Sequence, residues 1–302
     1  MIVSSGTTWQ KMKKNADCYL MVLPFALLFI TFVVLPVIGA AFISLTDYNM
    51  LETPSFVGLD NYLRVFLEDN DFITAVRNTL VFAVVTGPLS YIACLIFAWL
   101  INELGRHARA VLTTIFYLPT MSASMYVIWT FIFSGDQYGF INSMLMSMRL
   151  VDEPVQWLTD ANTVLPVIML VQLWMSLGTS FLSFIAGLQN VDRTLYEAAA
   201  VDGVRNRWQE LFYITLPSMG PQLLFGAVMQ ISASFSVSSI CITLAGFPST
   251  DNAALTIVTH IMDYGNMRME LGYASALSVV LFAFVLLVNN IVQKVIHKYA
   301  AT

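Results

Sequence analysis

The sequence predicts an all-helical integral membrane protein with six transmembrane helices and both termini in the cytoplasm. The first observation is composition: 58% of the 302 residues are hydrophobic, only 11% are charged, and the mean hydropathy is +0.73. Soluble domains carry about 25% charged residues. A soluble globular protein is therefore excluded, and we expect no nucleic acid among its partners.

The second observation is a set of six long runs that contain no Asp, Glu, Lys or Arg. They cover residues 18–46, 78–102, 110–135, 161–191, 211–250 and 271–293. Each exceeds the ~20 residues that a helix needs to cross ~30 Å of hydrocarbon. We predict one transmembrane domain over 16–298, between an N-terminal segment 1–15 and a tail 299–302. Its spans are expected at about 18–45, 78–101, 110–133, 164–188, 221–244 and 271–295.

The third observation is the uneven distribution of Lys and Arg. With the N-terminus inside, ten lie in inner segments and only four in outer segments: Arg64, Arg77, Arg149 and Arg268. Cytoplasmic loops carry an excess of basic residues. The N- and C-termini and the segment 189–217 are therefore predicted to face the cytoplasm.

The cytoplasmic segment 189–217 has the local signals of two short helices with a break. Asp192 can cap the first helix by accepting a bond from a free backbone N–H, and Gly203 stands where a helix ends in a left-handed turn. Asn206 and Gln209 have the spacing of a capping box that starts a second helix. Such an element has no evident catalytic chemistry and is suited to docking.

This segment resembles the EAA loop in the membrane subunits of ATP-binding-cassette (ABC) importers. That motif reads Glu-Ala-Ala, three residues, Gly, then a spacer that ends in Ile-x-Leu-Pro. The matching positions are Glu197, Ala198, Ala199, Gly203, Ile214, Leu216 and Pro217. The alternative is an ordinary amphipathic loop between two membrane helices, but chance agreement at so many positions is improbable.

The resemblance implies roles for these residues. The loop at 192–217 would lie in a cleft of an ATPase subunit and couple ATP hydrolysis to transport. Glu197 and Asp202 would pair with basic groups there, Ala198 and Ala199 would permit close packing, and Gly203 would set the turn.

Other stretches narrow the resemblance to carbohydrate permeases of the multiple-sugar type. The string Phe56-Val57-Gly58-Leu59-Asp60-Asn61-Tyr62 is similar to their first external loop, and Gly272-Tyr273-Ala274-Ser275-Ala276 opens the last span in their manner. Phe247 departs from the Gly-Gly-Pro that many relatives have at 246–248. The resemblance covers nearly the whole chain and implies the type I ABC importer permease fold.

The chain contains no Gly-x-x-x-x-Gly-Lys-Ser/Thr loop, so it cannot cradle ATP phosphates in that manner. We therefore expect a transport subunit in the bacterial cell (inner or plasma) membrane, not an enzyme and without a cofactor. ATP and Mg²⁺ would be bound by the partner ATPase. The implied partners are a second homologous permease, two ATPase subunits and an extracytoplasmic sugar-binding protein, within the lipid bilayer.

Uncharged polar residues along the fourth and fifth spans are the candidates for the substrate path: Gln172, Ser176, Thr179, Gln230 and Ser234. The first three, with Ser183, recur at helical spacing and are predicted to share one face. Helix packing is the alternative, and it is favoured for Ser and Thr because small residues are routine at membrane-helix interfaces. A buried amide needs several partners, which favours a cavity for the two glutamines.

Three other functions stay open at this point. An ABC permease for another neutral or phosphorylated solute would share the loop. A secondary carrier usually places ionisable residues within the membrane, and the six runs have none. A membrane enzyme would need a catalytic cluster in the spans. The histidines His107, His260 and His297 have no metal-ligand spacing and are predicted to be surface or interface side chains.

Overall fold

A computed structural model describes residues 15–122 and 125–300 of the chain. Within these ranges the chain forms helices joined by turns, with one isolated bridge between Thr46 and Phe56. Four helices in the described part are long and apolar enough to cross a membrane, or six if each of two bent pairs is one span. Residues 1–14 of the predicted N-terminal segment and residues 301–302 of the predicted tail lie outside the described residues.

The first membrane segment consists of Ala16–Phe29 and Leu35–Ile43, joined by a π-helical stretch over Ile30–Val34. In its most apolar 18-residue window, no residue is buried by the rest of the chain. Pro24 lies inside the first helix and Pro36 in the first turn of the second. This segment therefore needs lipid or another subunit around it.

The second segment is one helix, Asn70–Asn102, preceded by the short helix Asp60–Leu67. It starts well before the predicted span because Asp69 caps it, accepting a bond of 3.0 Å from the Phe72 N–H. Residues 70–77 are therefore the first part of the same helix.

The third segment contains Arg106–Tyr117, the 3₁₀ turn Leu118–Met121 and Tyr126–Ile132. The two parts are bent by 88°. The fourth segment follows the helix Phe140–Ser147 and consists of Val164–Met175 and Thr179–Asn190, with a break at 176–178. Neither predicted span is therefore one regular helix.

The segment 189–217, which the sequence predicts to be cytoplasmic, contains Arg193–Val201 and a second unit made of Arg207–Glu210, the π stretch Leu211–Thr215 and Leu216–Ser218. It turns by 84° into the fifth helix, Gly220–Phe235. The expected fifth span, 221–244, is broken after Phe235 and resumes as Ser239–Ala245.

The last part of the chain contains Thr250–Asn252, Ile257–Met262, the π stretch Asp263–Met267 and the final helix Leu271–Ala300. Gly246 has a φ of +75°, and the bond between Phe247 and Pro248 is cis. Thr256 and Thr259 form a capping box at the start of Ile257–Met262.

The buried core has two main parts along the second helix. One surrounds Phe82, Ile168 and Ile240, and the other surrounds Phe181 and Phe184 near the cytoplasmic segment. In the second part the fifth helix approaches closely: a Cβ on Gly226 would lie 2.4 Å from a Phe184 ring atom. The break at 176–178 lies between these two parts.

Candidate functional site

The first helix of the cytoplasmic segment, Arg193–Val201, is fixed at both ends by local hydrogen bonds. Asp192 Oδ1 accepts a bond of 3.0 Å from the Thr194 N–H, which confirms the predicted cap. Hydrogen bonds from Thr194 also lower the pKa of Asp192. The cap keeps a negative charge at the helix N-terminus, where it is favourable.

The end of this helix is a Schellman turn around Gly203. The Val204 N–H donates to the Ala199 carbonyl at 3.0 Å, and the Gly203 N–H donates to the Ala200 carbonyl at 3.4 Å. Gly203 has a φ of +95°, in the left-handed region that favours glycine. The predicted turn is confirmed.

The second helix begins at Asn206, whose Oδ1 accepts a bond of 2.8 Å from the Gln209 N–H. The return bond differs from the predicted capping box: Gln209 Oε1 accepts from the Arg205 N–H at 3.0 Å, one residue before the cap. The start of the second helix was therefore predicted correctly, but the Gln209 side chain bonds to residue 205 instead of to the capping residue Asn206.

The second helix is fastened to the membrane helices. Arg207 pairs with Glu103 at the end of the second membrane helix at 3.3 Å, and the ring of Trp208 lies 5.0 Å from that of Trp99. A hydroxyl bond of 2.8 Å between Tyr196 and Thr215 joins the first helix to the second. The loop is therefore anchored mainly through its C-terminal part.

The predicted coupling residues divide into an exposed half and an anchored half. Glu197, Ala198, Asp202 and Gly203 are exposed, Ala199 is half-buried, and the first helix has no buried residue. In the second half Ile214 is buried, Leu216 is half-buried, and Pro217 is exposed in the first turn of Leu216–Ser218. The exposed half is available to another subunit.

Three of the predicted path residues are enclosed between helices at the break in the fourth segment. The Ser176 carbonyl, at the break, accepts a local bond of 2.8 Å from the Gly178 N–H and further bonds from Gln230 Nε2 at 3.3 Å and from the Cys94 thiol at 3.4 Å. Ser176, Gln230 and Ser234 are all buried, and Ser234 donates to the Gln230 carbonyl at 2.8 Å. Irregular backbone at membrane depth must be satisfied by protein groups, and here the Gly178 N–H, the Cys94 thiol and the Gln230 amide all donate to this carbonyl.

The other two predicted path residues are more accessible. Gln172 is half-buried and Thr179 is exposed, and neither side chain has a hydrogen-bond partner within the ranges that the structure describes. The expected common face with Ser176 is not maintained, because the helix is interrupted between them. Trp174 is 55% exposed and packs edge-on against Trp129, beside an apolar groove of about 300 Å³.

Sequence reasoning missed a buried polar cluster beside the predicted outer loops. His260 was expected at a surface or interface, but its side chain is only 2% exposed, and its Nε2 lies 2.7 Å from Asp69 Oδ2. Tyr273 donates its hydroxyl to the same oxygen at 2.5 Å. Burial raises the pKa of Asp69, but the bonds from Tyr273, His260 and Phe72 outweigh it and hold that pKa below its ordinary value.

A second layer of charge covers this cluster. Arg64 pairs with Glu270 at 2.5 Å, and its guanidinium lies 4.3 Å from the centre of the Tyr273 ring. These contacts hold Asp60–Leu67 against the last helix. Among the described residues, no group of three or more His, Cys, Asp and Glu could hold a metal ion. Through Asp69 the cluster joins the start of the second helix to the last part of the chain.

Comparison with known proteins matches residues 91–300 to the family described as binding-protein-dependent transport system inner membrane component. The chain is 31% identical over 286 residues to the probable ABC transporter permease protein YesP of Bacillus subtilis, covering 93% of this chain and 91% of the relative. It is 30% identical to the arabinooligosaccharides transport system permease protein AraP of the same organism, covering 93% and 88%.

Two solved structures have the same fold. One is a bacterial ABC transporter involved in import of the acidic polysaccharide alginate, with a TM-score of 0.78, 25% identity, and 96% and 98% of the two chains covered. The other is a bacterial alginate ABC transporter in complex with a periplasmic protein that holds an alginate pentasaccharide, with a TM-score of 0.76, 26% identity, and 96% and 98% of the two chains covered.

The all-helical fold and its long apolar helices are those of a membrane protein. The chain belongs to the family of binding-protein-dependent transport system inner membrane components. It is an ABC transporter permease of the type I fold, located in the bacterial membrane.

Proposed function

We propose that this chain is the permease subunit of an ATP-driven importer of an oligosaccharide and forms half of the translocation pathway. Support comes from its relatives, which include an arabinooligosaccharide permease and an alginate importer. The six segments would span the membrane near the predicted bounds, with both termini cytoplasmic. Two homologous permeases would then enclose one path.

The observation that carries the coupling role is the contrast within the cytoplasmic segment. The helix Arg193–Val201 has no buried residue, while the second helix is tied to the membrane domain through Arg207 and Trp208. An ATPase cleft would cover the first helix. Glu197 and Asp202 would face its basic groups, and Ala198 would let its backbone approach closely.

The remaining partners follow from the same architecture. Two ATPase subunits would bind ATP and Mg²⁺, so this chain needs no cofactor of its own. A second permease would cover apolar surface such as the unburied first segment. An extracytoplasmic binding protein would deliver the sugar, as the periplasmic protein bound to the alginate transporter suggests.

We place the substrate path along the fourth segment. Gln172 and Thr179 have unused hydrogen-bonding groups within the described part of the chain, and Trp174 offers an apolar face of the kind that a sugar ring can stack on. Ser176, Gln230 and Ser234 are buried here, but Gln230 and Ser234 border an apolar groove of about 550 Å³, and separation of the helices during alternating access would expose them further.

The first test is co-purification from the native membrane in mild detergent, followed by mass identification of the bound chains. Recovery of one homologous permease and an ATPase is expected. Recovery of this chain alone, with transport intact after reconstitution, would refute the proposal in favour of a secondary carrier.

The coupling role is tested by comparing Gly203→Pro with Gly105→Pro. Proline requires a φ near −65°; Gly203 has +95°, whereas Gly105, in another predicted cytoplasmic loop, has −58°. Gly203→Pro is expected to abolish uptake and leave membrane insertion intact, and Gly105→Pro should change uptake little. Normal uptake by Gly203→Pro would disprove the coupling role.

Substrate class is tested by uptake into proteoliposomes that contain the purified complex and its binding protein. Radiolabelled arabinotriose, maltose, lactose and glycerol 3-phosphate are compared. Uptake of a sugar is expected, with a higher KM in Gln172→Leu than in Gln222→Leu, a control on the fifth helix. Transport of glycerol 3-phosphate alone would refute the sugar assignment.

A further inference from the structure

The break in the fourth segment separates two helices that pack in different parts of the core, and each helix with its packing partners is called a body here. Its N-terminal helix, Val164–Met175, packs in the part of the core around Phe82 and Ile240. Its C-terminal helix, Thr179–Asn190, packs with the fifth helix in the part around Phe184. Three residues at 176–178 are all that joins these bodies along this segment.

The C-terminal body is connected directly to the cytoplasmic segment. Thr179–Asn190 leads into Arg193–Val201, and the fifth helix leaves from the other end of the loop at Gly220. These two helices are also linked by a bond of 3.2 Å from the Ser180 hydroxyl to the Gly226 carbonyl. Any movement of the loop therefore acts on both helices together.

One side chain bridges this body to the break itself. Gln230 Nε2 lies 3.3 Å from the Ser176 carbonyl and 3.3 Å from Cys94 Sγ, while the Cys94 thiol donates to the same carbonyl. Gln230 is 6% exposed and Cys94 is fully buried. These bonds thus join the second, fourth and fifth segments at the Ser176 carbonyl inside the interruption, which also accepts a local bond of 2.8 Å from the Gly178 N–H.

We propose that Gln230 is a positioning residue that holds the hinge at 176–178, so that movement of the cytoplasmic segment reaches Val164–Met175. The proposal rests on the permease function proposed above. Without the amide bond, the C-terminal body moves with the loop but the N-terminal helix follows less completely. Sugar transport is then partly uncoupled from ATP hydrolysis.

The test compares Gln230→Met with Gln222→Met in the complete transporter, reconstituted in proteoliposomes. Methionine keeps the length of glutamine and removes its donor. Gln222 lies on the same helix, half-buried, and has no side-chain hydrogen bond within the described ranges, so it is a matched control. The measured quantity is the ratio of sugar transported to ATP hydrolysed. The sugar used is whichever of arabinotriose, maltose and lactose gives the highest uptake.

Gln230→Met is expected to lower this ratio about threefold, the equivalent of about 0.6 kcal/mol, the average for an interhelical hydrogen bond in a membrane protein. A merely structural loss would reduce the active fraction, lowering transport and hydrolysis equally and leaving the ratio unchanged. An unchanged ratio in Gln230→Met would therefore overturn the inference. Failure of the native complex to transport any sugar would instead refute the proposed function.

A second measurement follows the hinge directly through Cys94. In a background with Cys18→Ser and Cys241→Ala, the buried Cys94 is the remaining thiol. Its labelling by N-ethylmaleimide is expected to be about threefold faster in Gln230→Met than in Gln222→Met, since the hinge opens more often. Equal labelling rates in the two variants would contradict the hinge role.

Discussion

Replacing Asp69 by Asn tests the buried cluster beside the outer loops. The carboxylate, 7% exposed, receives bonds at one oxygen from His260 and Tyr273 and at the other from the Phe72 N–H. An amide removes the charge and can place an NH₂ group against a donor. Hydrogen bonds to charged groups contribute about 1.5–3 kcal/mol each, and breaking a buried pair costs about 3–5 kcal/mol. We therefore expect Asp69→Asn to lower the free energy of unfolding by about 3 kcal/mol.

The matched control is Asp71→Asn, two residues along the same helix start. Asp71 is exposed and accepts one bond of 2.9 Å from Asn252. Its replacement should change stability by no more than about 1 kcal/mol. Thermal unfolding in detergent, followed by tryptophan fluorescence at one scan rate, should show Asp69→Asn melting about 6 °C lower than the native chain. Equal shifts for the two variants would refute the reasoning.

The sign of the pH dependence follows from the lowered pKa of Asp69. Burial raises that pKa, but the hydrogen bonds from Tyr273 and His260 prevail, so the folded value lies below the ordinary 3.8. A lowered carboxyl pKa stabilises the fold above the unfolded value, and this stabilisation is lost as pH falls through the folded value. The difference in melting temperature between native and Asp69→Asn proteins should persist at neutral pH and shrink below about pH 4.

Three further substitutions test local parts of the structure. Gly203→Ala should lower the free energy of unfolding by about 1–2 kcal/mol, because Gly203 has a φ of +95°. The variant should also retain less ATPase in a pull-down, and Gly203→Asn should show a smaller loss. Tyr196→Phe loses the 2.8 Å bond to the second loop helix, so limited proteolysis should cut the loop faster; an unchanged cleavage rate would show that this bond does not hold it. Gly226→Ala puts a methyl group 2.4 Å from a phenylalanine ring, so it should lower the free energy of unfolding by about 1–3 kcal/mol and lower the melting temperature. Its control is Gly39→Ala, where the added methyl group has no atom within 4 Å and should not lower the melting temperature.

Local signals in the sequence predicted the cytoplasmic segment well. Three local features were predicted: the cap at Asp192, the left-handed turn at Gly203 and the helix start at Asn206. Each of them depends on hydrogen bonds between residues no more than five positions apart. Each satisfies backbone groups that any helix end leaves free. These features could therefore be inferred without knowledge of the tertiary structure.

The breaks in the membrane segments could not be predicted in this way. The run 161–191 is uncharged throughout, and its hydropathy is the same whether the helix continues or stops at Ser176. One of the donors to the Ser176 carbonyl at the break is Gln230, 54 residues further along. His260 and Asp69 are separated by 191 residues, so no spacing rule could place a histidine beside that carboxylate.

Burial also shows why a polar residue in a membrane helix is an ambiguous signal. Gln172 and Gln230 are chemically identical, and both were expected to line a cavity. Gln230 instead donates to the Ser176 carbonyl in the helix break, while Gln172 keeps its amide unused within the described part of the chain. Because unsatisfied backbone at membrane depth costs several kcal/mol, a carbonyl at a break needs donors, and here one donor is local and two come from other helices. A glutamine opposite a helix break therefore serves the backbone first, and the substrate path is to be sought on the faces where no such demand exists.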